Sequence, residues 1–329
     1  MSNSLLLVAS ANGLGHARRL FYIHHEFLSQ GIQSELLVNS FQFNKCKSEF
    51  SIETLDKIFI SNSKFGLDGP YATFEDREEL DFTLMKICNA ENIISDNLIW
   101  PAYYNSNVFI HGHFTWVDYW HKILEFNSIK SPPELDFEAN LRKEVRAWFA
   151  PKTFKFSQTF LDNKLVLLPL IRYPNDINYE KFVRNWKEIW VSVGTTKDKD
   201  FVDLESVLKS FLGLGFSIRY EETHRFHDLK LLPGLVIGRP GLGTIRDCLA
   251  SGTAFLSPIS ENGKRIPDPE LSNNLETLSI MGLLPNLESI SVRKLQQFSD
   301  IYRAFWAVNS CPISDYSNKI LQSVSEMRR

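Results

Sequence analysis

The chain has 329 residues, a net charge of −3, and is 43% hydrophobic and 13% aromatic. That length suffices for two domains of ordinary size, and the mild acidity argues against a nucleic-acid partner. No apolar run reaches the roughly 20 residues that span a bilayer, and Cys46, Cys88, Cys248 and Cys311 lie too far apart for a CxxC zinc site or a disulfide frame.

The first apolar segment, Leu5 to Ala9, has no basic flank and is not a signal peptide, so the cytoplasm is the expected compartment. The segment reads as a buried strand. Ser10-Ala11-Asn12-Gly13-Leu14-Gly15-His16-Ala17-Arg18-Arg19 follows, with a helix running on to Gly31 and a second strand at Ser34 to Val38. This strand–loop–helix–strand opening predicts a parallel sheet. His16 falls at the helix start, where positive charge is disfavoured, so its imidazole suits proton abstraction. The alternative is a helix cap or a solvent-facing ring. Gly13 and Gly15 favour function, because glycines let a ligand approach the backbone.

Ser61 to Pro70 is a loop without a motif. Glu75 to Cys88 is a helix whose acidic front complements its dipole. Asn92 to Asn97 is a strand carrying Asp96 at its carboxyl edge, the side of a parallel sheet that faces ligand. The next strand is Asn107 to His111. His111 and His113 lack a third ligand at suitable spacing, so a polar strand end is preferred to a metal site. Phe114, Trp116, Tyr119 and Trp120 read as core. Asp136 to Phe149 is expected to be a charged helix ended by Pro151, and Leu165 to Leu170 a strand. Ile171 to Asn185 is the linker candidate.

The pattern restarts with a strand at Glu188 to Val193 running into Gly194-Thr195-Thr196. A helix at Leu204 to Leu214 and a strand at Phe216 to Tyr220 follow. Asp198-Lys199-Asp200 resembles a DxD metal motif but reads as a charged helix start. Leu235 to Pro258 then gives strand, glycine loop, helix and strand. Thr244 is the expected N-cap, with Asp247 completing a capping box, and Gly252 ends the helix. A glycine loop feeding a helix start leaves backbone N–H groups for an anion, most commonly phosphate. It is not a Walker A loop, since no Gly-Lys-Ser/Thr follows, nor a dinucleotide fingerprint. Ile259 to Ser272 is a polar loop. Helices are expected at Asn273 to Gly282, Val292 to Val308 and Ser314 to Met327, the last with Ser314 as N-cap.

Gly13-x-Gly15-His16-x-x-Arg19 resembles the N-terminal loop of the murein and galactolipid synthase family, and equally that of the UDP-sugar hydrolase of pseudaminic acid synthesis. Gly238-Arg239-Pro240-Gly241-x-Gly243-Thr244-x-x-Asp247-x-x-Ala250-x-Gly252-x-x-x-x-x-Pro258 resembles their donor-binding segment, in which Glu usually stands at the Asp247 position. Asn274-x-x-x-Leu278-x-x-x-Gly282 resembles the segment that follows, and Asp96 the strand-end aspartate of the first domain. The resemblance implies the α/β GT-B fold, two Rossmann-like domains facing a cleft. The expected divisions are 1–170 for the acceptor side, 171–187 for a linker and 188–305 for the nucleotide-sugar side. A C-terminal helix, 306–329, would pack back on the first domain.

The family likeness further implies an inverting, metal-independent glycosyltransferase of the hexosyl or N-acetylhexosaminyl type that takes a UDP-sugar or another nucleotide-diphosphate sugar. No cofactor is expected. The acceptor would be a carbohydrate, a lipid-linked compound or a small molecule, in cell-surface polysaccharide synthesis, with peripheral contact at the inner membrane face. His16 or Asp96 would be the base, and Gly13, Gly15 and Arg19 would face the acceptor. Gly241, Gly243 and Thr244 would meet phosphate, Asp247 the ribose, and Arg239, Glu270 and Asn274 would complete the donor site. Leu271 stands where many members carry Gln beside the acid, which leaves the sugar open. The rival readings are a nucleotide-sugar hydrolase with His16 activating water, and a non-catalytic nucleotide-sugar-binding protein. Asn39 at the end of the second strand, in place of an acid, counts against NAD.

Overall fold

The computed structural model describes residues 4–10, 14–61, 77–156, 164–174, 176, 182–192, 204–221, 231–257, 268–286 and 289–327. It divides into two compact units, Met1–Pro169 with Ile313–Arg329, and Leu170–Pro312.

The first unit carries a seven-stranded sheet, β1 (Leu5–Val8), β2 (Ser34–Val38), β3 (Ile58–Ile60), β4 (Asn92–Asp96), β5 (Val108–His111), β6 (Ala147–Pro151) and β7 (Leu165–Leu168). The order is β3-β2-β1-β4-β5-β6-β7 and every pairing is parallel. Strands of such a sheet are covered on both faces, which is why β1, β4, β5 and β6 are buried from end to end. The helices are α1 (Leu14–Ser29), α2 (Ser40–Cys46), α3 (Ile52–Leu55), α4 (Arg77–Asn89), α5 (Trp116–Phe126) and α6 (Pro133–Asn140). Helix α1 turns Ala17, Leu20, Phe21, Ile23 and Phe27 inward. The aromatic group beyond β5 is core as expected, with Phe114 and Trp116 buried and Tyr119 and Trp120 packed against them.

The helix expected over Asp136 to Phe149 is a correction. Helix α6 ends at Asn140, a 3-10 turn covers Leu141–Lys143, and Ala147 to Pro151 is strand β6. The charged half carries the helical signal, whereas Ala147-Trp148-Phe149-Ala150 is a continuous apolar run that pairs between β5 and β7. Elements α2, α3 and β3 had no counterpart in the sequence reading. Helix α2 is opened by a reciprocal capping box, Asn39 accepting from Gln42 N–H while the Gln42 side chain accepts from Asn39 N–H.

In the second unit β9 (Val183–Ser192), β10 (Ser217–Glu221), β11 (Leu231–Gly238) and β12 (Ala254–Leu256) form a parallel sheet of order β10-β9-β11-β12. Two further strands, β8 (Leu170–Arg172) and β13 (Ser310–Pro312), pair with each other in parallel. The helices are α7 (Leu204–Gly213), α8 (Leu242–Ser251), α9 (Pro269–Ile280) and α10 (Val292–Asn309). The core gathers Ile189, Val191, Phe211, Leu235, Ile237 and Leu295. Strand β9 starts at Val183, five residues earlier than expected, because Arg184 is anchored. Its guanidinium donates to Pro233 O and Thr253 Oγ1 at 2.7 Å and to Ser251 O at 2.5 Å. Burial lowers Arg184 to about 10, still charged at neutral pH.

Helix α9 starts at Pro269 rather than Asn273. Asp268 caps it by accepting from Glu270 N–H and Leu271 N–H at 3.0 and 3.1 Å, and proline suits a first turn. The final helix, α11 (Ile313–Glu326), belongs to the first unit. Ser314 lies inside it and is not its cap. No described helix is long and apolar enough to cross a membrane.

Candidate active site

Strand order decides where each unit can hold a ligand. In an open parallel sheet the crevice opens at the carboxyl ends of the strands where the order reverses. In the first unit that is between β1 and β4. The loop after β1 starts α1, and β4 ends at Asp96, so the fold brings His16, Arg19 and Asp96 together. His16 Nδ1 lies 2.8 Å from Asp96 Oδ2, and Arg19 donates to Asp96 Oδ1. The aspartate is wholly buried, while the His16 side chain keeps 12% of its surface exposed. Burial by itself would raise the Asp96 carboxyl. The Arg19 and His16 charges, with the hydrogen bond from His16 and the nearby His111 ring, overcome that and hold it well below the usual carboxylate range.

Asn97, the residue after Asp96, was not singled out in the sequence. Its backbone takes the left-handed conformation, φ 61°. Its amide nitrogen donates to Phe114 O and His111 O at 2.6 and 3.2 Å, and its oxygen faces His16 Nδ1 at 3.3 Å. The two nearest neighbours of Nδ1 are thus acceptors, which places the proton on Nδ1 and leaves Nε2 as the basic nitrogen. The ring edge of Phe114 meets His16 at a centroid distance of 5.9 Å.

Gly112 is required for this packing. Its φ is +136°, and a Cβ there would meet the Asn97 amide at 1.6 Å. Gly112→Ala should therefore cost stability by a few kcal/mol and displace Asn97 from His16, measurable as a lowered Tm together with lowered turnover. A variant with native Tm and turnover would show that Asn97 has room to move.

His111 and His113 are both buried and serve no common centre. His111 Nε2 meets Tyr316 Oη of α11 at 2.7 Å, and burial pushes the ring down to about 4, against the nearby Asp96 carboxylate, which raises it. His113 packs edge-on against Phe114. Among the described residues no group of three or more His, Cys, Asp or Glu side chains is arranged to hold a metal.

In the second unit the order reverses between β9 and β11, and the loop Arg239 to Gly241 leaves β11 there. The expected cap is corrected. Gly241 is the N-cap, in extended conformation and without a side-chain cap, and Thr244 sits in the first helical turn. Glycine serves nearly as well as a capping side chain at that position, so the helix starts three residues earlier. Gly238, expected in the loop, ends β11. Among the described residues, a Cβ at Gly241 or Gly243 would meet nothing within 4 Å, so the backbone N–H groups of the first turn are approachable.

Asp247 therefore caps nothing. Its Oδ1 accepts from Arg246, which also donates to Asp176 at 2.6 Å and lies 4.2 Å over the Tyr173 ring. Burial raises Asp176, partly offset by Arg246. Arg239 faces Asp268 at 3.8 Å, and Glu270 lies in the first turn of α9. Asn274 is buried and donates to Pro240 O at 2.9 Å, tying α9 to the glycine loop. Its Oδ1 has no hydrogen-bond partner among the described residues. Gly15 is the second residue of α1, and a Cβ there would meet none of the described residues within 4 Å. Gly13, the Gly194-Thr195-Thr196 loop, Asp198-Lys199-Asp200, the Ser61–Pro70 loop beyond Ser61, and Pro258 with the polar segment to 267 lie outside the described residues.

No protein-family model and no curated protein matches the sequence. Solved structures do match over the full length. The spinosyn forosaminyltransferase SpnP aligns with a TM-score of 0.58 at 10% identity, covering 98% of this chain and 99% of that one. MurG of Acinetobacter baumannii aligns at 0.52 and 12% identity, with 98% and 99% covered. A UDP-glucose:anthocyanidin 3-O-glucosyltransferase in complex with UDP aligns at 0.52 and 9% identity, with 99% of each covered. At such identities the likeness is one of architecture, and with the two parallel-sheet units described above it establishes that this chain has the α/β fold of GT-B glycosyltransferases.

Proposed function

We propose that the protein is an inverting glycosyltransferase in which the second unit holds a nucleotide-diphosphate sugar and His16 of the first unit deprotonates the acceptor hydroxyl. The observation that carries this reading is the His16–Asp96 pair at the reversal point of the first sheet. A buried carboxylate fixes the Nδ1–H tautomer and can neutralise the imidazolium that forms. Asp96 itself is a poor base, since His16 and Arg19 occupy its two oxygens and it stays ionised.

The reaction balances simply. The acceptor oxygen bonds to the anomeric carbon while the bond from that carbon to the diphosphate oxygen breaks. The nucleoside diphosphate leaves with the electron pair and the hydroxyl proton passes to His16 Nε2. Uncapped N–H groups at the start of α8, in Gly241, Gly243 and Thr244, stabilise the departing diphosphate together with the helix dipole, without a metal in this reading. Asp247 takes the ribose through the carboxylate oxygen that Arg246 does not hold, and Asn274 Oδ1 and Glu270 complete the donor side. The named neighbours support a nucleotide-sugar donor, since one is a UDP-glucosyltransferase solved with UDP. They leave donor sugar and acceptor open. Location in the cytoplasm, peripheral contact with the inner membrane face and a part in cell-surface polysaccharide synthesis belong to the same proposal.

UDP at a hundred times its Kd should stabilise the protein by about 2.7 kcal/mol, and without added metal. Gly243→Asp has space for its side chain and should fold, yet should lose that thermal shift because a carboxylate then faces the diphosphate. An undiminished shift in the variant would remove the phosphate assignment. Incubating the protein with nucleotide sugars separates the rival activity. A transferase releases nucleoside diphosphate only when acceptor is added, whereas a hydrolase in which His16 activates water releases it without.

A further inference from the structure

The chain's last helix reaches the first sheet through one side chain. Tyr316 of α11 is buried, and its Oη lies 2.7 Å from His111 Nε2. On the far side of the same ring, His111 Nδ1 stands 3.8 Å from Asp96 Oδ1, the oxygen that Arg19 also contacts. Asp96 Oδ2 meets His16. Four side chains from α11, β5, β4 and α1 thus stand in series, buried except for His16, with hydrogen bonds at both ends and an electrostatic contact of 3.8 Å between His111 and Asp96. The titratable or charged groups facing Asp96 are His16 and Arg19 from α1 and His111 from β5, with Tyr316 behind His111 from α11.

From this geometry we infer that Tyr316 and His111 are positioning residues for the catalytic pair, with the Tyr316 hydroxyl donating to His111 Nε2 and so holding the ring with its Nδ1 proton toward Asp96. A neutral imidazole has one donor and one acceptor nitrogen. When Tyr316 occupies Nε2 as a donor, Nδ1 must carry the proton, and it presents positive hydrogen to the carboxylate. The opposite tautomer would turn a lone pair toward a buried anion, which the low-dielectric surroundings make costly. With His111 in the right form, Asp96 is held on three sides and its Oδ2 keeps its place against His16. Phenylalanine at 316 removes the donor that holds Nε2 and leaves the ring shape intact. The inference rests on His16 as the base only for its kinetic consequence, because the tautomers are fixed in the resting protein.

Long-range proton–nitrogen NMR on protein labelled with 15N-histidine reads each tautomer directly. In the full-length wild type, His111 and His16 should both carry the proton on Nδ1. In Tyr316→Phe, His111 should keep its Nδ1 proton opposite Asp96, while its Nε2 resonance moves to that of a lone pair without a donor and the His16 resonances shift with the loosened ring. Turnover should fall on the order of tenfold with KM little changed, since a small misplacement of the base is felt in the transition state. The wild-type spectrum alone can overturn the inference, for His111 protonated on Nε2 would make it the donor to Tyr316. So would a folded Tyr316→Phe protein whose His111 Nε2 and His16 resonances match the wild type. If the spectra come out as expected but His16→Ala is fully active, the base assignment fails and the positioning of His16 by this series stands.

Discussion

His16→Ala is expected to lower kcat by roughly 10²–10⁴-fold, the usual contribution of a general base, while the affinity for UDP stays close to wild type. The second half follows from the fold, since the residues assigned to the nucleotide belong to the other unit. Asp96→Asn should lose a comparable amount. The amide can no longer accept from both His16 and Arg19, so the imidazole loses its fixed tautomer. The two losses should not add. Once His16 is gone Asp96 has nothing left to orient, so the double variant should be no slower than His16→Ala within a few-fold. Removing a buried carboxylate also strands Arg19 and costs on the order of 3–5 kcal/mol, so rates must be set against the folded fraction by circular dichroism. A fully active His16→Ala beside an inactive but folded Asp96→Asn would move the base to Asp96.

Thermal stability of the first unit is expected to pass through a maximum near pH 6.5. His24 and His111 are buried and pushed from 6.5 to about 4, chiefly by desolvation. Between those values the unfolded chain takes up protons that the folded one refuses, so stability is lost as pH falls from 6.5 toward 4. Glu138 runs the other way. Burial raises it from 4.5 to about 8, only partly offset by the nearby Trp100 and Ile99 N–H groups and Arg142, and neither carboxyl oxygen has a hydrogen-bond partner among the described residues. The folded state keeps a proton that the unfolded chain gives up, so stability declines as pH rises from 4.5 to 8. Below 6.5 the two histidines outweigh the single glutamate, and above it Glu138 acts alone.

Glu138→Gln keeps the shape without the charge. At pH 8 it should be more stable than wild type by a few kcal/mol, because holding a carboxyl protonated costs about 1.4 kcal/mol for every pH step above its unfolded titration. The decline above pH 6.5 should vanish in the variant. Chemical denaturation at pH 5, 6.5 and 8 checks this. A wild-type curve flat from 6.5 to 8 would mean that Glu138 ionises at no cost, through water reaching it.

Much of this fold is legible where sequence signals are local. The strands at Leu5, Ser34, Asn92 and Ala254 and the glycine stop at Gly252 follow from apolar runs and from a residue that tolerates a positive φ. Strand β6 was not legible, since a charged helix precedes it and only pairing with β5 and β7 decides its form. The start of α8 was misread because Thr244 offers a cap that Gly241 makes unnecessary. His16, Arg19 and Asp96 could be named from glycine spacing and a strand end. Tyr316 could not, for it lies 205 residues from His111 and only the tertiary fold joins them. Asn97 left one faint sign, an Asn directly after a buried strand, a residue type at ease in the left-handed turn found there.

The pairing of β8 with β13 has a consequence for how the molecule can be remade. The second unit opens on Leu170, aligned with Ser310, and closes on Pro312, aligned with Arg172. Its entrance and exit are neighbouring strands, roughly 5 Å apart. A proline stands at each crossing, Pro169 before β8 and Pro312 before α11, and neither supplies the backbone N–H needed to continue a ladder. The second unit is thus an insert with adjoining ends, spliced into a host that resumes at Ile313. Such a cassette can be exchanged through recombination at two points without threading a new chain through either sheet, and under the proposed function donor preference would be inherited separately from the chemistry of His16.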